Sequence, residues 1–274
     1  MARIPVFAAN WKMNKTLAEA ATTAKEMRAQ FGATPGAEVV VCPPATALYT
    51  AGEIFKDCEI ALGAQDIFWE LKGAYTGLIS PVMLKDAGCK YVIIGHSERR
   101  GRFGKDDPSL TAEMKAVFSD NDATVNRKAQ AALANDLRPI ICVGELLAER
   151  EAGKTDATIA GQLEKALKDL PADRADEIVV AYEPVWAIGT GQVCEAAEAN
   201  RVIAMMRQVA AKALGDKAAQ QVRLLYGGSV TPENISKIME QKDIDGVLVG
   251  GASMQADSFA KIISDGFSAA KAKN

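Results

Sequence analysis

The sequence is poor in the residues that build metal and disulfide sites. It has one histidine in 274 residues, His96, and no C-x-x-C pair among its five scattered cysteines. Structural zinc sites take four cysteine or histidine ligands, so a zinc centre is nearly excluded. An odd number of scattered cysteines predicts reduced, mostly buried thiols rather than a disulfide framework.

Excess charge and long apolar runs are also missing. The net charge is -3 at pH 7, and the basic residues are scattered, which argues against nucleic acid or an anionic membrane as the main partner. No apolar run approaches the ~20 residues that span a membrane. The N-terminal stretch MARIPVFAAN lacks the apolar core and cleavage site of a signal peptide. We therefore expect a soluble, cytoplasmic protein, for which small anionic ligands remain possible.

What the chain does have is a repeat of short apolar runs, each followed by a helix-like segment such as LAEAATTAKEMRAQF. The runs are continuously apolar rather than alternating, as expected for parallel strands that are buried on both faces. They are Val6–Ala9, Val39–Cys42, Ile60–Ala64, Tyr91–Ile94, Pro139–Val143, Ile178–Tyr182, Val222–Tyr226 and Gly246–Val249.

Eight strand–helix units favour an α/β fold, a closed (β/α)8 barrel that spans residues 1–274 as a single domain, because closure removes both sheet edges. A doubly wound open sheet is the alternative, but it usually has fewer strands and an early glycine-rich turn. Neither G-x-G-x-x-G nor a Walker A sequence stands near residue 10. Polar or glycine-rich residues follow most of the strands, at the end where barrels carry active sites, so the pattern favours an enzyme over a structural barrel.

Two basic side chains are candidates for the site. His96 ends the fourth apolar run in YVIIGHSE, where the amides of the following turn would keep the imidazole neutral and lower its pKa. The alternative is a structural histidine. Lys12 follows the first run, and Glu98 would be its carboxylate partner. A lysine held in this way supplies positive charge to an anionic substrate, whereas the alternative is an exposed loop lysine.

Glu183 ends the sixth apolar run. Burial at a strand end should raise the pKa of its carboxylate, as a general base requires, although a structural ion pair is the alternative. The next nine residues are mostly apolar, but their proline and glycines disfavour a core strand and indicate a mobile lid. The lid consists of Pro184, Val185, Trp186, Ala187, Ile188, Gly189, Thr190, Gly191 and Gln192.

Glycines follow the seventh and eighth runs, as Gly227-Gly228-Ser229 and as Gly250-Gly251. Glycines let backbone amides approach an anion closely, and the loops after strands seven and eight are the usual phosphate site of such barrels. Tight turns alone would explain either pair. Both pairs together predict a phosphate site.

Seven motifs in order over nearly the whole chain resemble the triosephosphate isomerase family: AANWKMN, GAYTG, IIGHSERR, PIICVGE, AYEPVWAIGTG, LLYGGSV and GVLVGGASM. The resemblance implies interconversion of dihydroxyacetone phosphate and D-glyceraldehyde 3-phosphate through an enediolate, in glycolysis and gluconeogenesis. It also implies a homodimer that needs neither a metal nor an organic cofactor.

The resemblance implies roles for individual residues. Glu183 would move the proton, neutral His96 would donate a hydrogen bond to the carbonyl oxygens, and Lys12 with Asn10 would stabilise negative charge. The phosphate would be held by Asn10, Lys12, Gly189, Ser229, Gly250 and Gly251. Supporting residues would be Ser97, Glu98, Gln65 and Tyr226, and at the dimer interface Thr76 would reach the neighbouring site beside Arg99.

The sequence departs from the family in three places. A loop at about residues 101–120 is longer than usual, and Asp120 stands where a glutamate is usual. Leu78 replaces a glutamate that generally pairs with Arg99 across the interface, and Gln192 replaces a lysine at the lid hinge. We hypothesise that the longer loop forms a short helix at 109–117 that thickens the dimer interface. The alternative is a solvated excursion without function.

Two other functions are compatible with the barrel. Another phosphosugar enzyme, such as an aldolase or a different ketose-aldose isomerase, predicts a Schiff-base lysine within a strand or a larger pocket, and neither is evident. A catalytically silent phosphate-binding barrel should have lost at least one of Asn10, Lys12, His96 and Glu183, and all four are present.

Overall fold

The structure is a computed structural model that describes residues 3–31, 36–105 and 107–273, so Asp106 in the predicted longer loop lies outside the described residues. Its eight parallel strands close into a barrel in sequence order, which excludes the doubly wound sheet. Each predicted strand is present with ends shifted by no more than two residues. The strands are β1 (Val6–Asn10), β2 (Glu38–Cys42), β3 (Ile60–Ala64), β4 (Cys89–Ile94), β5 (Arg138–Val143), β6 (Val179–Tyr182), β7 (Arg223–Tyr226) and β8 (Gly246–Val249).

Helices follow the strands and cover the outside of the barrel. They begin at capping side chains where the sequence supplies them, as at Thr16 and Asn121, whose oxygens accept hydrogen bonds from the first helical turn. The helices are α1 (Leu17–Gln30), α2 (Leu48–Phe55), α3 (Pro81–Asp86), α4 (Ala112–Lys115), α5 (Asp122–Ala134), α6 (Leu147–Glu151), α7 (Thr155–Leu167), α8 (Ala196–Leu214), α9 (Asp216–Ala219), α10 (Ile235–Met239) and α11 (Ala256–Ala272).

The strands are buried on both faces, as their continuous apolar runs predict. In β1, Val6 and Ala8 point into the barrel interior, where they belong to one apolar cluster. Phe7 and Ala9 point outward and belong to the larger cluster between the barrel and the helices. This double burial fixes the register of each strand, so the residues that end the strands have a fixed position at the rim.

The barrel floor, at the amino ends of the strands, carries a charged network around Glu38. Its carboxylate accepts hydrogen bonds from Arg138 at 3.1 Å, from Arg223 at 3.2 Å and from the Tyr91 hydroxyl. Burial alone would raise the pKa of Glu38, but Arg223, Tyr91 and Arg138 outweigh it and lower the pKa below the usual 4.5.

This network predicts an acid-dependent loss of stability. In the unfolded chain Glu38 titrates at its ordinary pKa, so its contribution is complete above about pH 4.5 and is lost as the pH falls through the lower folded pKa. In urea unfolding, Glu38→Gln should be less stable than the wild type at pH 7, and this difference should shrink at pH 3.5. An equal difference at both pH values would contradict the linkage.

The longer loop leaves the barrel rim and returns to nearly the same point. A Cβ at Gly101 would lie 3.3 Å from Cβ of Phe118, and the amide of Asp120 donates to the carbonyl of Arg99 at 3.0 Å. The loop helix, α4, is shorter than the hypothesised 109–117. Asp107 Oδ1 accepts from the amide of Ser109 in a preceding turn, so the helix begins only after Thr111 caps it.

Among the helices of residues 3–31, 36–105 and 107–273, none is both long enough and apolar enough to cross a bilayer.

Candidate active site

Glu183 and His96 meet at the carboxyl end of the barrel. Glu183 follows β6 and His96 follows β4, so the two residues are far apart in sequence. Their exposed fractions are 1% and 6%, and Oε1 of Glu183 lies 2.9 Å from Nε2 of His96. The other carboxylate oxygen, Oε2, accepts a hydrogen bond from the amide of Ser97 at 2.9 Å. The imidazole is therefore the group that faces Oε1, while the backbone holds Oε2.

The contact between the two side chains reverses both expected pKa shifts. Burial alone would lower the pKa of His96, but Glu183, and then Glu98, raise it above 6.5. Burial alone would raise the pKa of Glu183, but His96, the Ser97 amide and Lys12 lower it below 4.5. The sequence predicted a lowered pKa for His96 and a raised pKa for Glu183. Both predictions were wrong, because they left out the pairing of these two side chains.

The hydrogen bonding of the imidazole selects one neutral tautomer. Nδ1 of His96 accepts a hydrogen bond from the amide of Glu98 at 3.2 Å. In the neutral ring the proton must then be on Nε2, since an imidazole that accepts at one nitrogen carries its hydrogen on the other. The donor N–H is thus directed to the side where Glu183 lies.

Lys12 is fixed in an unusual backbone conformation at the end of β1. Its φ is 52°, in the left-handed region, where a residue with a side chain is uncommon. Asn10 Oδ1 accepts from its amide at 3.0 Å, and Gln65 Nε2 donates to its carbonyl at 2.8 Å. Its ammonium group lies 2.6 Å from Oε1 of Glu98, the predicted partner. Two neighbouring side chains therefore hold a strained cation at the rim.

The lid begins directly after Glu183 with a short 3-10 turn, Val185–Ala187. Trp186 of this turn is buried, and its ring nitrogen donates to Glu145 Oε1 at 2.8 Å. Ser229, predicted to bind phosphate, instead donates to the carbonyl of Ala187 at 2.9 Å. Glycines at 189 and 191 both have positive φ, as hinge positions of a lid allow.

The predicted site residues line one cavity of about 470 Å³. Lys12, His96 and Glu183 form one side of it, while lid, strand-seven and strand-eight glycines form the other. The wall also includes Asn10, Ile188, Gly189, Gly227, Gly228, Ser229, Gly250 and Gly251. Such a cavity combines one cation, a carboxylate–imidazole pair and a glycine-rich wall suited to an anion.

The four predicted supporting residues lie around this cavity rather than in its wall, and Glu98 pairs with Lys12 as described above. Gln65 supports the backbone of Lys12, and Ser97 supports Glu183 through its amide. Tyr226 is buried at the end of β7, its hydroxyl has no hydrogen-bond partner, and burial raises its pKa.

Sequence reasoning missed the residues that hold the lid. Glu145 is fully buried at the end of β5 and also accepts from the Tyr182 hydroxyl at 3.1 Å. The guanidinium of Arg150 lies 4.5 Å from the centre of the Trp186 ring. The signal was present, because Glu145 ends PIICVGE at a strand end just as Glu183 ends its own strand.

The two residues predicted at a subunit interface lie outside this cavity wall. Thr76 is exposed. Arg99 pairs within its own chain, with Nη2 at 3.1 Å from Asp66 Oδ2. Asp66 also contacts the buried Lys128, which is 2.6 Å from Asp120. Position 78 carries leucine and cannot pair with Arg99, but Asp66 of the same subunit supplies a carboxylate for Arg99 instead.

The part of the chain that the structure describes contains no group of three or more histidine, cysteine, aspartate or glutamate side chains close enough to share a metal ion. The cavity described above offers the ammonium group of Lys12 and backbone amides, which suit an anion, rather than a set of metal ligands.

Comparisons with known proteins agree with this geometry. The family model for triosephosphate isomerase matches residues 5–266. A triosephosphate isomerase of Moorella thermoacetica is 51% identical over 261 residues, 95% of this chain and 98% of its own length. That of Chloroflexus aurantiacus is 48% identical over 261 residues, with the same coverage of 95% and 98%. The crystal structure of triosephosphate isomerase from Bartonella henselae aligns with a TM-score of 0.81 at 37% identity, covering 96% of this chain and 98% of that one.

The matches extend over the fold and over the motifs that surround the cavity, which favours this activity over the other two functions considered. The chain therefore belongs to the triosephosphate isomerase family and interconverts dihydroxyacetone phosphate and D-glyceraldehyde 3-phosphate.

Proposed function

We propose that Glu183 is the base that moves a proton between the two carbons of the triose phosphate. The observation that carries this is a buried carboxylate at the cavity, with Oε2 held by the Ser97 amide and Oε1 facing Nε2 of His96 at 2.9 Å. Glu183 removes a proton from C1 of dihydroxyacetone phosphate, which leaves an enediolate with negative charge on O2. The hydroxyl proton then moves from O1 to O2, and Glu183 returns its proton to C2 to give glyceraldehyde 3-phosphate.

His96 and Lys12 stabilise the charge that this step creates on oxygen. The Nε2–H of neutral His96 donates to the substrate oxygens, consistent with its tautomer, and Lys12 supplies a fixed positive charge next to Asn10. Gly189, Ser229, Gly250 and Gly251 hold the phosphate through lid and loop amides. Closing the lid excludes water and protects the enediolate from losing phosphate.

Substrate binding changes the pKa values of His96 and Glu183. The 2.9 Å between Glu183 and His96 leaves no room for a substrate atom, so binding must separate the pair. Once they are apart, Glu183 no longer raises the pKa of His96, and His96 no longer lowers the pKa of Glu183. Separation therefore favours a neutral imidazole donor and a stronger base. A coupled assay of glyceraldehyde 3-phosphate isomerisation with Glu183 and Lys12 variants tests these roles.

We also propose that the active form is a homodimer. A second cavity of about 460 Å³, lined largely by apolar residues, lies beside Lys12, His96 and Glu98. Met13 on its rim is 95% exposed, and Leu78 on the loop that carries Thr76 is 45% exposed. The Thr76 loop of a second subunit would fill this cavity and cover both residues.

The dimer is tested by sedimentation velocity and activity together. The wild type should sediment at twice the 29.1 kDa of one chain. Thr76→Arg brings a charge into the apolar cavity, so it should shift the protein to monomers and lower kcat, since the cavity adjoins Lys12. The matched control, Ser264→Arg on the exposed face of α11, should leave both unchanged. A fully active wild-type monomer would contradict the proposal.

A cytoplasmic location is part of the same proposal. All five cysteines are free, and four of them are buried. Reduced thiols of this kind are typical of proteins in a reducing compartment. Glycolysis and gluconeogenesis, in which the isomerase acts, take place there.

A further inference from the structure

One lysine outside the substrate cavity joins two of the loops that surround it. Nζ of Lys15 donates to the carbonyl of Met254 at 3.0 Å and to Oγ1 of Thr23 at 2.8 Å. Lys15 lies in the loop that follows β1. Met254 ends a short 3-10 turn, Gly251–Met254, that follows β8. Because β1 and β8 are paired in the closed barrel, this contact joins the first and the last loop of the rim.

The two joined loops both carry proposed phosphate ligands. Lys12 lies in the first loop, and Gly250 and Gly251 lie in the last one. The loops are packed against each other, since a Cβ at Gly250 would lie 3.4 Å from Cε of Lys12. Met254 also lines the cavity, whereas Lys15 is not part of its wall. The bond from Lys15 to Met254 therefore acts on the position of one set of phosphate ligands relative to the other.

The other side-chain hydrogen bonds of the turn stay close to it. Oγ of Ser253 donates to the carbonyl of Val249 at 3.0 Å and to that of Gly250 at 2.7 Å. These bonds set the shape of the turn but not its position relative to the loop after β1. Within residues 3–31, 36–105 and 107–273, the bond from Lys15 is the only side-chain hydrogen bond between these two loops.

The ammonium group of Lys15 is held by its surroundings on the other side as well. It lies 5.3 Å from the centre of the ring of Trp11, which is fully buried, and this is within the range of a cation–π contact. The φ of Lys15 is 75°, in the left-handed region that favours glycine. A residue with a side chain persists in such a conformation when its surroundings over-determine it, and such strain concentrates at functional sites.

We propose that Lys15 is a positioning residue, which holds the loop after β8 at the distance from Lys12 at which both loops bind the substrate phosphate. This rests on the proposed phosphate role of Gly250 and Gly251. A residue that only positions phosphate ligands acts on the ground state and the transition state alike, because the phosphate does not react. Its loss therefore raises KM and leaves kcat nearly unchanged.

Lys15→Met tests this role, because methionine keeps an apolar chain and the same backbone strain but has no donor for Met254. We expect the inhibition constant of inorganic phosphate and the KM for glyceraldehyde 3-phosphate to rise by about fivefold, the effect of a typical hydrogen bond. The kcat should stay within about twofold of the wild type. Lys25→Met, at an exposed position on α1, removes the same charge as a matched control and should equal the wild type.

Lys15→Gly separates the ammonium contact from the backbone strain. Glycine also lacks the donor, but it adopts a positive φ without steric cost. We expect the same rise in both constants as in Lys15→Met. A rise that is absent in Lys15→Gly would assign the effect to the strained backbone and overturn the positioning role of the side chain.

Ionic strength separates positioning from simple attraction of the phosphate by the charge of Lys15. In about 1 M potassium chloride the Debye length is about 3 Å, so attraction over longer distances is screened. If Lys15 acts through the turn, the ratio of the Lys15→Met and wild-type inhibition constants persists under these conditions. A ratio that falls to one, or constants that are unchanged in Lys15→Met at low salt, overturns the positioning role. Failure of phosphate to inhibit the wild type overturns the proposed phosphate site itself.

Discussion

Glu183→Gln is expected to lower kcat by about 10²–10⁴-fold, the usual contribution of a positioned general base, with a much smaller change in KM. Glutamine keeps the size of the side chain and an oxygen that can accept from the Ser97 amide. It removes the basic lone pairs that take the proton. A loss concentrated in kcat indicates an interaction made in the transition state rather than in binding.

Two further substitutions make this result specific. Glu183→Asp keeps the charge but withdraws the carboxylate by one methylene, and a displacement of about 1 Å costs on the order of 10²-fold in rate. Glu145→Gln is the matched control, because Glu145 is also buried at a strand end but bonds to Trp186 and Tyr182. It should affect kcat far less. Equal losses at the two positions would mean that Glu183 acts through structure and not as the base.

Lys12→Met is expected to lower kcat/KM by about 10²–10³-fold, comparable to the loss of one fixed charge-stabilising group in a closed site. Methionine matches the side-chain length without the charge, and it inherits the same left-handed backbone, so strain is not relieved. KM should rise and kcat should fall, because the ammonium group attracts the phosphate before the reaction and stabilises the enediolate during it. The measurement is the coupled assay over a range of substrate concentrations.

The controls for Lys12 separate charge from shape. Lys12→Arg retains the charge in a planar group that fits this position less well, so it should recover part of the activity. Glu98→Gln removes the partner at 2.6 Å but leaves the lysine, and its effect should be the smaller one. Activity of Lys12→Met within a few-fold of the wild type would contradict the electrostatic role.

The barrel was predictable because strand burial has a simple sequence signature. Continuous apolar runs located all eight strands, and the ends of those runs placed Asn10, His96 and Glu183 at one rim. The longer loop was not predictable in the same way. Its helix is only four residues, α4, because Asp107 stabilises a turn where helix had been hypothesised. Short polar side chains that bond to the backbone override weak helical periodicity.

Site chemistry was harder to predict than site location. The pairing of Lys12 with Glu98 was predicted correctly, since both follow strand ends that meet at the rim. The predicted directions of the pKa shifts of His96 and Glu183 were wrong. Each pKa depends on the other side chain, which follows a different strand and lies 2.9 Å away. The contact of the lid with Gly104, where a Cβ would lie 2.5 Å from the carbonyl oxygen of Val185, has no local signature in the sequence. Contacts between segments distant in sequence decide such properties.

The most direct test of the proton-transfer account is isotope incorporation in D2O, followed by NMR. Dihydroxyacetone phosphate is converted by the wild type, and product is trapped enzymatically as it forms. Because Glu183 holds the transferred proton as an exchangeable carboxylic acid, the account predicts deuterium at C2 of the glyceraldehyde 3-phosphate, and Glu183→Gln should lose this incorporation with its turnover. Product that forms at the full rate with only protium at C2 would mean that no exchangeable group carries the proton from C1 to C2, and would contradict the account.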